Sequence, residues 1–224
     1  MSLKGLIFDL DGVLTDTAKY HFLAWKKLAD ELNMSFTEKD NELLKGVSRI
    51  ESFGIILKIN GRSNEFSDEE KERLANLKND YYKEMIEQLT PGDILCGVLP
   101  FISAAKQNGL KCAVASISKN APRVLELLGI SGLFDYIADA AAVTKPKPDP
   151  EIFLTCAKAL GFKPNECIGF EDAQAGIEAI HSAGMLSVGI NVSVTSLEPD
   201  ITLTSTNELN LTKIKQKFDE REQI

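Results

Sequence analysis

The sequence predicts an α/β fold: a parallel β-sheet with helices on its faces, interrupted after the first strand by an all-helical insertion. Three observations predict it. Residues 3–9, LKGLIFD, form an apolar run that ends on an acid, as a strand buried on both faces does. Residues 16–90 carry only helical signals. From residue 92 onward, short apolar runs alternate with helical patterns of about 10 to 15 residues, the rhythm of βαβ units.

Each element has its own local signal. In the insertion, Ala24, Leu28 and Leu32 recur at helical spacing with Trp25 and Ala29 beside them, which makes one apolar stripe. Thr37 with Asp40 marks a second helix start. Ser67 and Glu70 form a capping box for a third helix, which runs to about Leu89 and is stopped by Pro91-Gly92. Beyond it, VLPFISAAKQNG reads as a helix, KCAVAS as a strand and APRVLELLG as a helix ended by Gly129. FDYIADA reads as a strand, DPEIFLTCAKALG as a helix with Pro150 in its first turn, and ECIGFED as a strand. AGIEAIHSAG is a helix, MLSVGIN a strand and DITLTS the last strand, before a polar helix, KIKQKFDERE. The domains are therefore an α/β core from residues 1–15 and 92–224, and a helical cap from 16–91.

The bulk properties narrow the function classes. At 224 residues, 44% hydrophobic and 26% charged, the chain has the composition of a globular protein with a real core. A net charge of −8 and a pI near 4.9 argue against nucleic acid or an acidic membrane surface as partner. An anionic substrate must then be met by a few placed basic side chains. No apolar run approaches the ~18 residues of a membrane span, and the start does not read as a signal peptide. Cys96, Cys112, Cys156 and Cys167 are scattered without C-x-x-C spacing, as expected of buried thiols in a reducing compartment. A cytoplasmic protein, with a monomer as the plain expectation, fits these properties.

The polar residues gather at strand ends. The first strand ends in Asp9-Leu-Asp11, and KCAVAS ends in Ser116 followed by Ser118, Lys119 and Asn120. ECIGF ends in Glu171-Asp172, and FDYIADA leads into Thr144-Lys145-Pro146-Lys147-Pro148-Asp149. Parallel strands bring these ends to one edge, where ligands of such sheets bind. Taken singly, Asp172 reads as a helix cap, Ser116 or Ser118 as a turn residue and Lys145 as a solvated charge. Four strand ends finishing this way together point to a site. Its chemistry suits a phosphoryl group: clustered carboxylates hold Mg²⁺, one carboxylate can act as nucleophile, and a lysine neutralises the phosphoryl oxygens. Ser116 and the N–H groups up to Asn120 would hold the same oxygens. An acid two residues beyond the nucleophile can carry the proton.

These stretches resemble the motifs of the haloacid dehalogenase (HAD) superfamily of phosphotransferases. FDLDGVLTDT is similar to its D-x-D motif, ASISKN to its Ser/Thr motif, KPKPD to its lysine motif and GFED to its acidic motif. The resemblance implies a Rossmann-like parallel-sheet core with an inserted α-helical cap. It implies Asp9 as the nucleophile that forms an aspartyl-phosphate, Asp11 as general acid/base, and Ser116 and Lys145 as holders of the phosphoryl group. Lys147 is the weaker candidate of the two lysines in KPKP. Mg²⁺ would be held by Asp9, the Asp11 carbonyl and Asp172, with Glu171 close by.

The cap stretches DTAKYHFLAWKKLA, LKGVSR and KNDYY, with SISKNAP of the core, are similar to the hexose-phosphate mutases of that superfamily. These interconvert β-glucose 1-phosphate and glucose 6-phosphate through glucose 1,6-bisphosphate. The likeness implies that Arg49, with Gly46, Val47 and Ser48, grips the phosphate that is not transferred. It places His21 near the acid/base, Lys45, Ser52, Lys78 and Asn79 in substrate-side or core-facing positions, and Ser118, Lys119 and Asn120 on the other end of the sugar phosphate. Thr15, Asp16 and Thr17 would be the hinge. Trp25 and the Tyr81-Tyr82 pair read as cap packing. The lysine motif departs from the pattern by being two residues shorter before Lys145. A sugar-phosphate phosphatase is the alternative, since the core motifs serve both reactions.

Overall fold

The computed structural model describes residues 2–44, 47–194 and 196–221. The chain forms two compact units, one made of Met1–Asp16 with Leu89–Ile224 and the other of Thr17–Gln88.

The first unit is built on a six-stranded, all-parallel sheet. Its strands are β1 (Gly5–Phe8), β2 (Lys111–Val114), β3 (Tyr136–Ile137), β4 (Cys167–Glu171), β5 (Leu186–Ile190) and β6 (Ile201–Leu203), in the order β3-β2-β1-β4-β5-β6. The register sets Gly5 opposite Lys111 on one side and Cys167 on the other. β1, β4 and β5 are buried along their whole length, while the edge strands β3 and β6 are only partly covered. FDYIADA accordingly pairs over two residues alone, because an edge position gives it one neighbour.

Alternation along β1 sends neighbouring side chains to opposite faces. Ile7 joins a core with residues of α7 (Glu151–Leu160) and α8 (Gln174–Ser182), including Phe153, Cys156, Ile177 and Ile180. Phe8 turns the other way, toward α5 (Val98–Gln107). Its ring stacks on Phe170 at 4.6 Å and meets Phe101 and Phe134 edge-on. Pro150 is the N-cap of α7, one position ahead of the expected first turn, and Gly161 closes that helix in the left-handed conformation. Cys112, Cys156 and Cys167 are buried, with burial pushing each thiol up to about 12, whereas Cys96 is exposed.

The helical unit comprises α1 (Ala18–Glu31), α2 (Glu38–Asn41), α3 (Arg49–Ile59) and α4 (Asp68–Ile86). Capping boxes open α2 at Thr37/Asp40, α3 at Ser48/Glu51 and α4 at Ser67/Glu70. Its core is Trp25, Leu28, Phe36, Phe53, Ile56, Leu57 and Leu74 with their neighbours. No helix among the described residues is long and apolar enough to cross a membrane.

Removing the Phe8 ring would leave a void between Phe101, Phe134 and Phe170. Phe8→Ala is expected to cost about 3–5 kcal/mol, read as a lowered urea midpoint for the α/β unit.

Candidate active site

Strand order reverses between β1 and β4, so their carboxyl ends flank the crevice where such sheets bind ligands. Asp9 follows β1 directly, and its N–H donates to the Phe170 carbonyl at 2.9 Å. Glu171 ends β4 and Asp172 follows it. Beside β1 on the other side, the Ala115 N–H donates to the Phe8 carbonyl at 2.7 Å and carries Ser116 to the same edge. The sheet thus brings Asp9, Ser116, Glu171 and Asp172 together.

The lysine at this edge is Lys147. Its buried Nζ donates to Asp9 Oδ1 at 2.6 Å and to Glu171 Oε1 at 2.5 Å. Lys145, the stronger candidate from sequence, has a side chain 70% exposed and lies 3.6 Å from Asp149. The loop turns Lys147 inward, where it completes a buried charge cluster with Asp9 and Glu171, and leaves Lys145 paired with Asp149 in solvent. Burial pushes the Asp9 carboxyl up to about 7, with Lys147 opposing and Glu171 and Asp11 adding to the rise. Burial would lower the Lys147 ammonium, but Asp9 and Glu171 outweigh it and hold the group above its ordinary value.

Glu171 is fixed on both oxygens. Oε1 accepts from Lys147, and Oε2 accepts from the Asp172 and Ala173 N–H groups at 2.9 and 3.0 Å. The slot it fills exists because α8 carries Gly176, where a Cβ would sit 2.0 Å from the Glu171 carboxylate. Gly12, at φ +72°, plays the same part for Asp172, whose Oδ2 would lie 2.3 Å from a Cβ there. The Asp11 N–H donates to Asp9 Oδ2 at 3.0 Å, which orients the nucleophile candidate.

Asp9, Glu171 and Asp172 each offer a carboxylate oxygen within 4.8 Å of the others. An all-oxygen donor set fits a hard divalent cation. Both Asp9 oxygens and both Glu171 oxygens already accept hydrogen bonds, so a cation would share their remaining lone pairs with Lys147 and the Asp11, Asp172 and Ala173 N–H groups.

The loop after β2 is a chain of short turns. Ser116 Oγ accepts from the Ser118 N–H at 3.2 Å, and Ser118 Oγ accepts from the Asn120 N–H at 3.3 Å. Asn120 is buried ahead of α6 (Ala121–Leu127), and Lys119 is exposed. In the expected hinge, Thr15 is buried and donates to the Asp93 carbonyl at 2.8 Å, Asp16 is exposed and Thr17 is buried.

The helical unit has a polar cluster of its own. Lys78 Nζ and His21 Nδ1 are 2.8 Å apart. An ammonium only donates, so Nδ1 accepts and Nε2 carries the imidazole proton. Lys78 lies over the rings of Trp25 and Tyr82, at 4.8 and 5.2 Å. Tyr82 stacks on His21 at 4.0 Å, and its hydroxyl donates to Thr17 Oγ1. Trp25 and Tyr82 therefore hold this cluster in place, beyond the plain packing expected of them. Burial, then Lys78 and Arg49, keep His21 well below its usual 6.5. Arg49 opens α3 after the Ser48 cap, and its Nη1 donates to Asn76. Val47 is half-buried, Ser52 is buried on α3 and Asn79 is buried on α4. Lys45 and Gly46 lie outside the described residues.

The sequence reading did not single out Asn76 or Gly176, and it gave Tyr82 no part in the site. For Tyr82, four residues after Lys78, helical spacing is the available signal; for Asn76 the sequence carries none.

This edge of the sheet is equipped to accept and return a phosphoryl group, and the class is that of α/β phosphotransferases. The chain belongs to the haloacid dehalogenase-like hydrolase family, whose model matches residues 3–184. It is 42% identical over 218 residues to β-phosphoglucomutase of Bacillus subtilis strain 168, covering 97% of this chain and 96% of that protein. It is 30% identical over 186 residues to a phosphorylated carbohydrates phosphatase of Thermotoga maritima, covering 82% of each. Among solved structures, β-phosphoglucomutase (pgmB) from Clostridium difficile superposes with a TM-score of 0.92 at 46% identity, covering 99% of this chain and 100% of that one.

Lys147→Met would strand two buried carboxylates. In metal-free buffer it is expected to raise the Asp9 pKa beyond about 7, and to cost about 3 kcal/mol or more in urea unfolding. Lys145→Met, on the surface, should stay within about 0.5 kcal/mol of the parent.

His21 gives a pH dependence of definite sign. Below 6.5 the unfolded chain takes a proton at His21 that the folded chain refuses. Stability is therefore full above 6.5 and falls as the pH drops, by up to about 1.4 kcal/mol per pH unit. His21→Gln should flatten that part of a stability-versus-pH curve.

Proposed function

We propose that this protein interconverts β-D-glucose 1-phosphate and D-glucose 6-phosphate through an aspartyl-phosphate and a glucose 1,6-bisphosphate intermediate. One observation carries the reading: buried or half-buried cations occur in both units, Lys147 in the α/β unit and Arg49 and Lys78 near a neutral His21 in the helical one. A monophosphate hydrolysed by water needs one such set; a bisphosphate that turns round needs two. The likeness to β-phosphoglucomutases supports the choice of hexose.

In the proposed reaction Asp9 carries the phosphoryl group. The Asp11 N–H on Asp9 Oδ2 keeps the two acids in fixed relation, so the Asp11 carboxylate can take the proton of the sugar hydroxyl as the phosphoryl group leaves Asp9. It returns that proton when the bisphosphate, having turned round, gives its other phosphoryl group to Asp9. Lys147 neutralises the phosphoryl oxygens, Glu171 holds Lys147, and the Ser116 hydroxyl with the Lys119 N–H binds the same oxygens. Asp9, Asp172 and the Asp11 carbonyl, with Glu171 nearby, would hold Mg²⁺, which when bound would supply positive charge against the charge developing on the phosphoryl group. Arg49, with Val47, Ser48 and residues Lys45 and Gly46, takes the phosphate that is not transferred. Ser118, Lys119 and Asn120 take the far end of the sugar phosphate, and Ser52 and Asn79 support the cap-side surface. Thr15, Asp16 and Thr17, with Pro91 on the return, form the hinge of this proposal. The protein works as a cytoplasmic monomer on a small sugar phosphate, with no nucleic-acid or membrane partner.

The phosphatase activity named for the Thermotoga relative supplies the second reading, in which water takes the phosphoryl group from Asp9.

Incubation with β-glucose 1-phosphate, Mg²⁺ and a trace of the bisphosphate should yield glucose 6-phosphate, with the α-anomer inert. Free phosphate as the sole product would establish the phosphatase instead. Asp9→Asn should abolish both activities. Arg49→Ala should lower mutase kcat/KM about 100-fold while hydrolysis of a small aryl phosphate stays within about threefold.

A further inference from the structure

We infer that Asn76 is a positioning residue for substrate recognition, its side-chain amide aiming the Arg49 guanidinium at the phosphate group that is not being transferred. This rests on the role given to Arg49 above and adds how that side chain is held and kept charged.

Arg49 is the first residue of α3, where the Ser48/Glu51 capping box fixes the backbone. A cation at a helix N-terminus faces the positive end of the helix dipole, so α3 itself does little to hold the guanidinium. The bond comes from α4: Arg49 Nη1 donates to Asn76 Oδ1 at 3.1 Å. One turn further along α4 stands Asp80, whose charge is also felt by Arg49. Asp80, however, is 3.0 Å from Lys83 Nζ, which shares its charge. The direct partner of Arg49 is thus a neutral amide, with the nearby carboxylate engaged elsewhere.

That choice of partner has chemical consequences. A guanidinium has five N–H donors in a rigid plane. An amide on Nη1 fixes that plane and leaves the Nε–Nη2 edge as the two-pronged face that matches phosphate oxygens. It does so without neutralising the cation. A carboxylate at position 76 would fix the plane equally well, but as a competing anion. Arg49 is half-buried, and its charge acts on His21. Asn76 itself is exposed and contributes no core packing.

Steady-state kinetics on the full-length protein test the inference. Asn76→Ala should raise KM for β-glucose 1-phosphate about five- to tenfold with kcat within twofold, an effect sized by one ordinary, partly solvated hydrogen bond. Hydrolysis of an aryl phosphate and the thermal midpoint should not change. On an Arg49→Ala background, Asn76→Ala should have no further effect on KM. Asn76→Asp should raise KM more than Asn76→Ala, while the thermal midpoint holds or rises as an ion pair forms. If Arg49→Ala cripples the mutase and Asn76→Ala is silent, the inference fails and the Arg49 clamp stands. If Arg49→Ala is itself silent, both fail. Equal loss on both substrates, a lowered thermal midpoint for Asn76→Ala, or an Asn76→Asp variant with unchanged KM would also overturn it.

Discussion

The α/β unit is organised around one buried ammonium. Lys147 sits between Asp9 and Glu171, and none of the three groups is tolerable there without the others. Meeting that demand requires β1 and β4 to be neighbours, since Asp9 and Glu171 lie at their two ends. It requires α8 to approach β4 with a glycine, because a side chain at Gly176 would occupy the Glu171 slot. It also requires the loop before α7 to turn Lys147 inward and leave Lys145 in solvent. Glu171 accepts from Lys147 and two N–H groups, and Asp9 from Lys147 and the Asp11 N–H, so both carboxylates are held in fixed orientation.

The two units meet the same electrostatic problem with different chemistry. A chain of net charge −8 repels phosphates at long range, so any attraction has to be local. In the α/β unit the cation is paired to carboxylates and stays protonated because of them. In the helical unit, Lys78 rests against aromatic faces and a neutral imidazole, and Arg49 against an amide. The amide on Arg49 leaves that cation's charge for an incoming anion, whereas Lys147 shares its charge with two carboxylates.

Much of this was legible in the sequence, and the reasons differ by residue. Capping boxes at Thr37/Asp40 and Ser67/Glu70 announce themselves, because cap and partner are three residues apart. The alternation of strands and helices after residue 92 gave the sheet, and polar strand ends gave Asp9, Ser116, Glu171 and Asp172. Interactions between distant segments left no such mark. KPKP offers two lysines, and only the path of the loop decides that Lys147 is the inner one. Asn76 looks like any exposed helix residue until α3 is packed against α4, and Gly176 looks like an ordinary weak helix position until Glu171 fills the space beside it. FDYIADA has the composition of a longer strand, but an edge site pairs only Tyr136 and Ile137.

The position of β1 also bears on how the chain is made. β1 is central in the sheet, yet Gly5 pairs with Lys111 and Cys167, residues synthesised long afterward. Pairings of such sequence separation form late and slowly. The segment GLIF therefore waits on the nascent chain with its backbone unpaired and its apolar side chains exposed, a natural seed for intermolecular strand pairing. Lys4 stands on one side of it, and Asp9 and Asp11 on the other. Flanking charges of this kind act as gatekeepers against aggregation. The acids that end β1 guard the growing polypeptide long before there is a site for them to serve.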